Sequence, residues 1–139
     1  MTASSVFLDT APFIYLVEEH PVFCPKVARF IAEMLADDAV LLTSVVTYSE
    51  FCVQPARRRN VALIEEFDAL LAGFGMVPEI VTLAIGVTAY KLRAKYAFLR
   101  GMDALQLATA LELNATVFFT NDRKLQAVQE LRVVLVTDL

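Results

Sequence analysis

The run Val6-Phe7-Leu8-Asp9 sets three apolar residues directly ahead of a carboxylate, and the same order returns in Val117-Phe118-Phe119-Thr120-Asn121-Asp122. Each run is short, continuous and rich in β-branched or aromatic side chains, which is the pattern of a strand buried on both faces of a parallel sheet. Val40-Leu41-Leu42 and Val133-Val134-Leu135-Val136 share it. A weaker run, Phe74 to Val77, sits beside Gly73 and Gly75, is stopped by Pro78, and is a candidate fifth strand.

Between these runs the period becomes helical. Val27, Phe30, Ile31, Met34 and Leu35 fall at the spacing of one helix face, with Pro25 in the first turn, where its missing N–H costs nothing. Asn60 is placed to cap a helix bearing Leu63, Ile64, Phe67, Leu70 and Leu71, with Gly73 just past its end. Segments from about Ile80 to Ala97 and from Asp103 to Leu113 are also helical by pattern, the second stopping at Asn114. Strands alternating with helices require crossover connections, so the fold class is α/β: a three-layer α/β/α domain with a central, mostly parallel sheet of four to five strands.

The chain has 139 residues, the usual size of a single domain, so residues 1–139 are expected to form one. Hydrophobic residues make up 58% and charged residues 20%, which excludes a disordered chain. The longest apolar candidate, Val81 to Tyr90, falls well short of the roughly 20 residues a membrane helix needs. Met1 to Ser5 carries no Lys or Arg and leads into no long apolar run, so it does not read as a signal peptide, and a cytoplasmic protein is expected. Cys24 and Cys52 have neither disulfide-framework nor zinc spacing and read as buried free thiols. A net charge of −4 argues against a polyanionic partner unless the acids are concentrated at one site and basic patches lie elsewhere.

The acids are placed for such concentration. Asp9 and Asp122 follow strands, and Glu50 lies in the segment after Val40 to Thr43. In open α/β sheets this carboxyl edge is where ligands bind. Asp103 opens the helix leading into the Val117 strand, and because that helix runs antiparallel to the strand, its amino terminus returns to the same edge. Each acid has an ordinary explanation taken singly: helix caps for Asp103 and Asp9, a turn for Asp122, a solvated helix position for Glu50. Taken together they do not. A cap is worth about 1 kcal/mol, whereas two carboxylates about 4 Å apart repel by roughly 4 kcal/mol at an effective dielectric near 20. A cation relieves that repulsion, and all-oxygen ligation selects Mg²⁺ or Mn²⁺ over zinc. His20, beside Pro21 in an apparent loop, reads as exposed rather than as a ligand.

Four blocks carry a family likeness: Phe7-Leu8-Asp9-Thr10 with Phe13-Ile14-Tyr15-Leu16; Thr43-Ser44-Val45-Val46-Thr47-Tyr48-Ser49-Glu50; Met102-Asp103-Ala104-Leu105-Gln106-Leu107-Ala108-Thr109-Ala110; and Phe119-Thr120-Asn121-Asp122-Arg123. In their order and spacing, over essentially the whole chain, the sequence resembles the PIN-domain nucleases and among them the VapC-type toxins of toxin–antitoxin pairs. Ala11 stands where a polar residue is common in that family, Met102 where Pro often precedes the Asp, and Gln106 where His is frequent. None of these departures removes a carboxylate.

The resemblance implies that Asp9, Glu50, Asp103 and Asp122 are the metal-binding and catalytic acids, with Thr10, Thr120 and Asn121 supporting them. It further implies a Mg²⁺-dependent or Mn²⁺-dependent endoribonuclease, a small antitoxin protein as partner and a homodimer, with no membrane association. Arg57, Arg58, Arg100, Arg123 and Lys124 are the candidates for RNA phosphate contacts. A noncatalytic RNA-binding or interaction module on the same fold is one rival, and a housekeeping RNA-processing nuclease is another. A phosphatase or aspartyl-phosphate receiver fits less well, because Ala11 and Met76-Val77-Pro78 stand where those folds want further aspartates.

Overall fold

A computed structural model describes residues 4–139, so the reading of Met1 to Ser5 as no signal peptide falls largely outside that range. Its sheet holds β1 (Ser5–Leu8), β2 (Val40–Leu42), β3 (Val117–Thr120) and β4 (Val133–Leu135), all parallel, in the order β2-β1-β3-β4. The helices are α1 (Thr10–Val17), α2 (Phe23–Ala36), α3 (Val45–Arg57), α4 (Val61–Gly73), α5 (Leu83–Lys95) and α6 (Gly101–Glu112).

Alternation along the strands divides the core in two. Val6, Leu8 and Phe119 pack on one side of the sheet with Phe13, Ile31, Phe51 and Phe67 from α1 to α4, while Phe7 and Phe118 pack on the other with Ile85, Leu92 and Leu107 from α5 and α6. Phe7 and Phe118 are cross-strand partners whose rings stack at 5.4 Å. Burial on both faces explains why the central strands β1 and β3 read as unbroken apolar runs, whereas the edge strand β2 leaves Val40 exposed.

Helix starts follow local chemistry. Ser44, Asn60 and Thr82 each accept a hydrogen bond from an amide in the first turn of α3, α4 and α5. The start of α2 is capped differently: His20 is half-buried, and its Nδ1 accepts the N–H groups of Val22 at 3.1 Å and Phe23 at 3.0 Å, so the expectation of an exposed loop residue gives way to a capping role.

Three expectations need correction. Phe74–Val77 is not a strand, because Phe74 ends α4, Gly75 turns at φ +66°, and Pro78 has no N–H to give a ladder. The segment beyond it makes a single parallel bridge, Ser44 with Glu79, beside β2. Gly73 is the last residue of α4 rather than its stop, the reversal falling to Gly75. The helix drawn from Ile80 to Ala97 is shorter at both ends, since Thr82 caps its start. Among the described residues no helix is long and apolar enough to cross a membrane.

Candidate metal centre

β1 ends one residue before Asp9, whose N–H continues the ladder to the Phe119 carbonyl at 2.9 Å and so fixes the residue at the carboxyl edge. Asp9 then occupies the N-cap position of α1 without a side-chain capping bond. Its carboxylate instead accepts Thr120 Oγ1 at 2.7 Å on Oδ2 and Gln106 Nε2 at 3.2 Å on Oδ1. Glu50, on the second turn of α3, accepts Thr10 Oγ1 at 2.8 Å. Asp103 lies in the first turn of α6, which begins at Gly101 with Arg100 at the N-cap position, so the capping explanation of this acid is removed.

Two of these carboxyls are displaced from their ordinary range. Burial pushes the Asp9 carboxyl above the usual carboxylate range, hydrogen bonds from Thr120, Thr10 and Gln106 pull it back, and the charge of Asp103 raises it further. Burial likewise raises Glu50, the Thr10 hydroxyl opposes this, and the charges of Asp9 and Asp103 add to the rise. Asp122 contributes to neither shift. It stands at the same edge, its amide donating to Thr120 Oγ1 at 3.2 Å, but its carboxylate accepts the Lys124 amide at 3.2 Å and lies 3.7 Å from Lys124 Nζ. The turn-closing role considered for this acid is therefore present.

The supporting and basic positions divide similarly. Thr10 and Thr120 touch acids, whereas Asn121 bonds Tyr15 OH at 3.0 Å and the Thr137 hydroxyl at 2.7 Å, tying α1 to the C-terminal segment rather than reaching a carboxylate. Arg57 and Arg58 are exposed at the end of α3, and Arg58 lines a 190 Å³ groove with Ile14, Glu18, Glu50, Phe51 and Gln54. Arg100 is exposed beside Asp103. Arg123 is paired with Asp138 at 3.0 Å.

Sequence reasoning passed over the residue with the most contacts at this edge. Gln106, noted only as a departure, is buried and bonds Asp9, Ser44 and Thr47. Its signal was a polar residue three positions after Asp103, on a helix whose buried residues are otherwise Leu, Ala and Thr109.

Among the described residues no group of three His, Cys, Asp or Glu side chains is close enough to enclose an ion by itself. The donor set nevertheless suits a hydrated hard cation. Mg²⁺ usually keeps several waters and takes one or two carboxylates plus substrate phosphate, not an all-protein cage. Asp9, Glu50 and Asp103 supply hard oxygens, are not wholly buried, and among the described residues have no basic side chain bonded to them. Because Asp122 is engaged by Lys124 and its own turn, Asp122→Asn is expected to weaken Mn²⁺ binding by about 10-fold at most, the low end for a residue acting around the ligands. Calorimetric titration checks this, and a loss matching that of Asp9→Asn would show Asp122 to be an equal ligand.

A family model described as PIN domain matches residues 6–131. No curated protein matches the chain. Among solved structures, the chain is similar to VapBC2 from Rickettsia felis, bound to a DNA fragment from its promoter, with 17% identity, 94% of this chain and 98% of that chain covered, and a TM-score of 0.79. It is also similar to a toxin–antitoxin complex from Klebsiella pneumoniae, with 18% identity, coverage of 94% and 97%, and a TM-score of 0.70. A third is VapC20 from Mycobacterium tuberculosis, described as a Sarcin-Ricin loop cleaving toxin, with 18% identity, coverage of 91% and 98%, and a TM-score of 0.72.

Proposed function

The chain belongs to the PIN domain family, and from that premise we propose that it is a Mg²⁺-dependent or Mn²⁺-dependent endoribonuclease, the VapC-type toxin of a type II toxin–antitoxin pair. The observation that carries the reading is the placement of Asp9 after β1, Glu50 on α3 and Asp103 in the first turn of α6 at one carboxyl edge, with the Thr120 and Thr10 hydroxyls directed at Asp9 and Glu50. Nothing in ordinary helix capping calls for that arrangement.

In this reading Asp9, Glu50 and Asp103 hold the ion, and Asp122 acts from the adjoining turn. When bound, the ion positions a phosphodiester, lowers the pKa of an attacking water and offsets charge on the leaving oxygen. Thr120 and Thr10 keep the Asp9 and Glu50 carboxylates aimed, each hydroxyl donating to one carboxylate oxygen. Arg100, at the N-cap position of α6, and Arg58, lining the groove with Glu50, are exposed and contact backbone phosphates of the RNA. Arg123 and Lys124, already paired with Asp138 and Asp122, are the weaker phosphate contacts.

The antitoxin would dock in the groove between α1 and α3. Ile14, Phe51 and Pro55 give it apolar lining, and Glu18 and Glu50 outnumber its one cation, Arg58, so it suits a peptide carrying an Arg. Two of the similar structures are named as VapBC2 and as a toxin–antitoxin complex. A homodimer, a cytoplasmic location and one domain over the whole chain belong to the same proposal.

The test is cleavage of a pool of cellular RNA by the purified full chain in Mg²⁺, in Mn²⁺ and in EDTA. Cutting is expected with either ion, leaving 5′-phosphate and 3′-hydroxyl ends, and none in EDTA. Cleavage that EDTA leaves intact sinks the metal mechanism, and binding without cutting favours the noncatalytic module.

A further inference from the structure

Gln106 is 2% exposed and lies one turn after Asp103 on the inner face of α6. Its Oε1 accepts the Ser44 hydroxyl, and its Nε2 donates to Asp9 Oδ1 at 3.2 Å and to Thr47 Oγ1. Ser44 Oγ itself accepts the Thr47 amide at 3.2 Å as the N-cap of α3, so its proton is left to donate to Gln106. The Asp9 carboxylate, which when ionised offers only acceptor oxygens, fixes the amide: its N–H groups face Asp9 and Thr47 and its oxygen is left to accept from Ser44.

One side chain therefore joins the three elements that carry Asp9, Glu50 and Asp103: the end of β1, the start of α3 and the start of α6. Among the described residues no buried side-chain nitrogen or oxygen lacks a partner, so the amide nitrogen and oxygen of Gln106 are both engaged. We propose that Gln106 is the positioning residue of the metal site, an uncharged amide that presents Asp9 to the ion and sets the spacing of the three carboxylates. The inference rests on the reading above and concerns a residue that acts through Asp9, not on the ion or the RNA. An amide suits the task because it donates to a carboxylate at every pH without contributing a cation that competes with the metal.

The experiment is titration of the full chain with Mn²⁺ alone, followed calorimetrically, together with RNA cleavage at low and at saturating Mn²⁺. Gln106→Met, close to Gln in shape but without donors, is expected to raise the Mn²⁺ dissociation constant about 10- to 100-fold, the usual cost of removing a group that orients a ligand. Cleavage falls at low Mn²⁺ and returns toward the native rate at saturation, a pattern that general loosening of the fold does not produce. Gln106→His, which restores one N–H, recovers part of the affinity. Should Gln106→Met fail to fold, Thr47→Val keeps the Asp9 contact while freeing one side of the amide, and a smaller loss of affinity is expected. A native chain that binds Mn²⁺ beside a Gln106→Met chain that binds it equally well overturns this inference alone. A native chain that binds no Mn²⁺ overturns the inference and the metal reading together.

Discussion

Replacing Asp9 by Asn is expected to lower metal-dependent RNA cleavage by about 100- to 1,000-fold, since an ion's stabilisation of transition-state charge amounts to several kcal/mol and each 1.36 kcal/mol is tenfold in rate. Asp9 leads this prediction because it is the acid at which the other elements meet: β3 reaches it through Thr120, α6 through Gln106, and the ladder bond to Phe119 fixes its backbone. The amide loses a charge and one acceptor oxygen while keeping the shape. The melting temperature in EDTA separates lost chemistry from lost fold. Because burial raises the Asp9 carboxyl above its ordinary range, the folded state disfavours its charged form. That penalty is present at neutral pH and disappears below the usual carboxylate range, where folded and unfolded chains are both protonated. Metal-free Asp9→Asn is therefore relieved of that penalty at neutral pH, which offsets the one buried donor it leaves without an acceptor, and it is expected to lose the stabilisation that Mn²⁺ gives the native chain by mass action. Undiminished cleavage by the variant would remove Asp9 from the site.

The parts of this arrangement that were legible in the sequence are those whose signals are local. A strand buried on both faces announces itself in four residues, and an acid directly after it inherits its place at the sheet edge, so Asp9 and Asp122 were located by position alone. Direction was not legible. Whether a carboxylate at that edge turns inward or closes its own turn depends on neighbours such as Lys124, and the chemistry of Asp122 is the same in either case. Phe74 to Val77 was overread because a short apolar run carries no period long enough to separate a strand from the buried end of a helix. Asp103 resembled an N-cap because Arg100, which holds that position, supplies no side-chain bond to mark it. Gln106 was invisible for another reason. Its partners come from β1 and α3, distant in the chain, and a buried glutamine reads as an anomaly on an apolar face until those partners are placed beside it.

Phe67→Ala is expected to destabilise the fold by about 3–5 kcal/mol, the range for removing a buried phenyl ring. Phe67 on α4 is fully buried, with its ring 4.0 Å from Phe51, 5.2 Å from Phe13 and 5.6 Å from Tyr48. Those three rings belong to α3 and α1, and Phe51 directly follows Glu50, so the cavity opens behind the helix pair joined by the Thr10–Glu50 hydrogen bond. Net stabilities of roughly 5–15 kcal/mol leave such a variant folded at 25 °C but close to its limit. The melting temperature should fall by about 12–20 °C, taking about 4 °C per kcal/mol for a chain of this size. Leu92→Ala is the matched control. Leu92 is buried on the opposite side of the sheet, on α5, which carries none of the proposed acids, and its truncation is expected to cost about 2–5 kcal/mol. Urea denaturation in EDTA measures the two costs, and Mn²⁺ titration of both variants reads the site. If packing of α4 sets the approach of Glu50 to Asp9, Phe67→Ala binds the ion more weakly than Leu92→Ala even where the two are equally destabilised. Equal affinities at equal stability would mean that Glu50 is held by α3 and Thr10 alone, and that the aromatic cluster stabilises the fold without shaping the site.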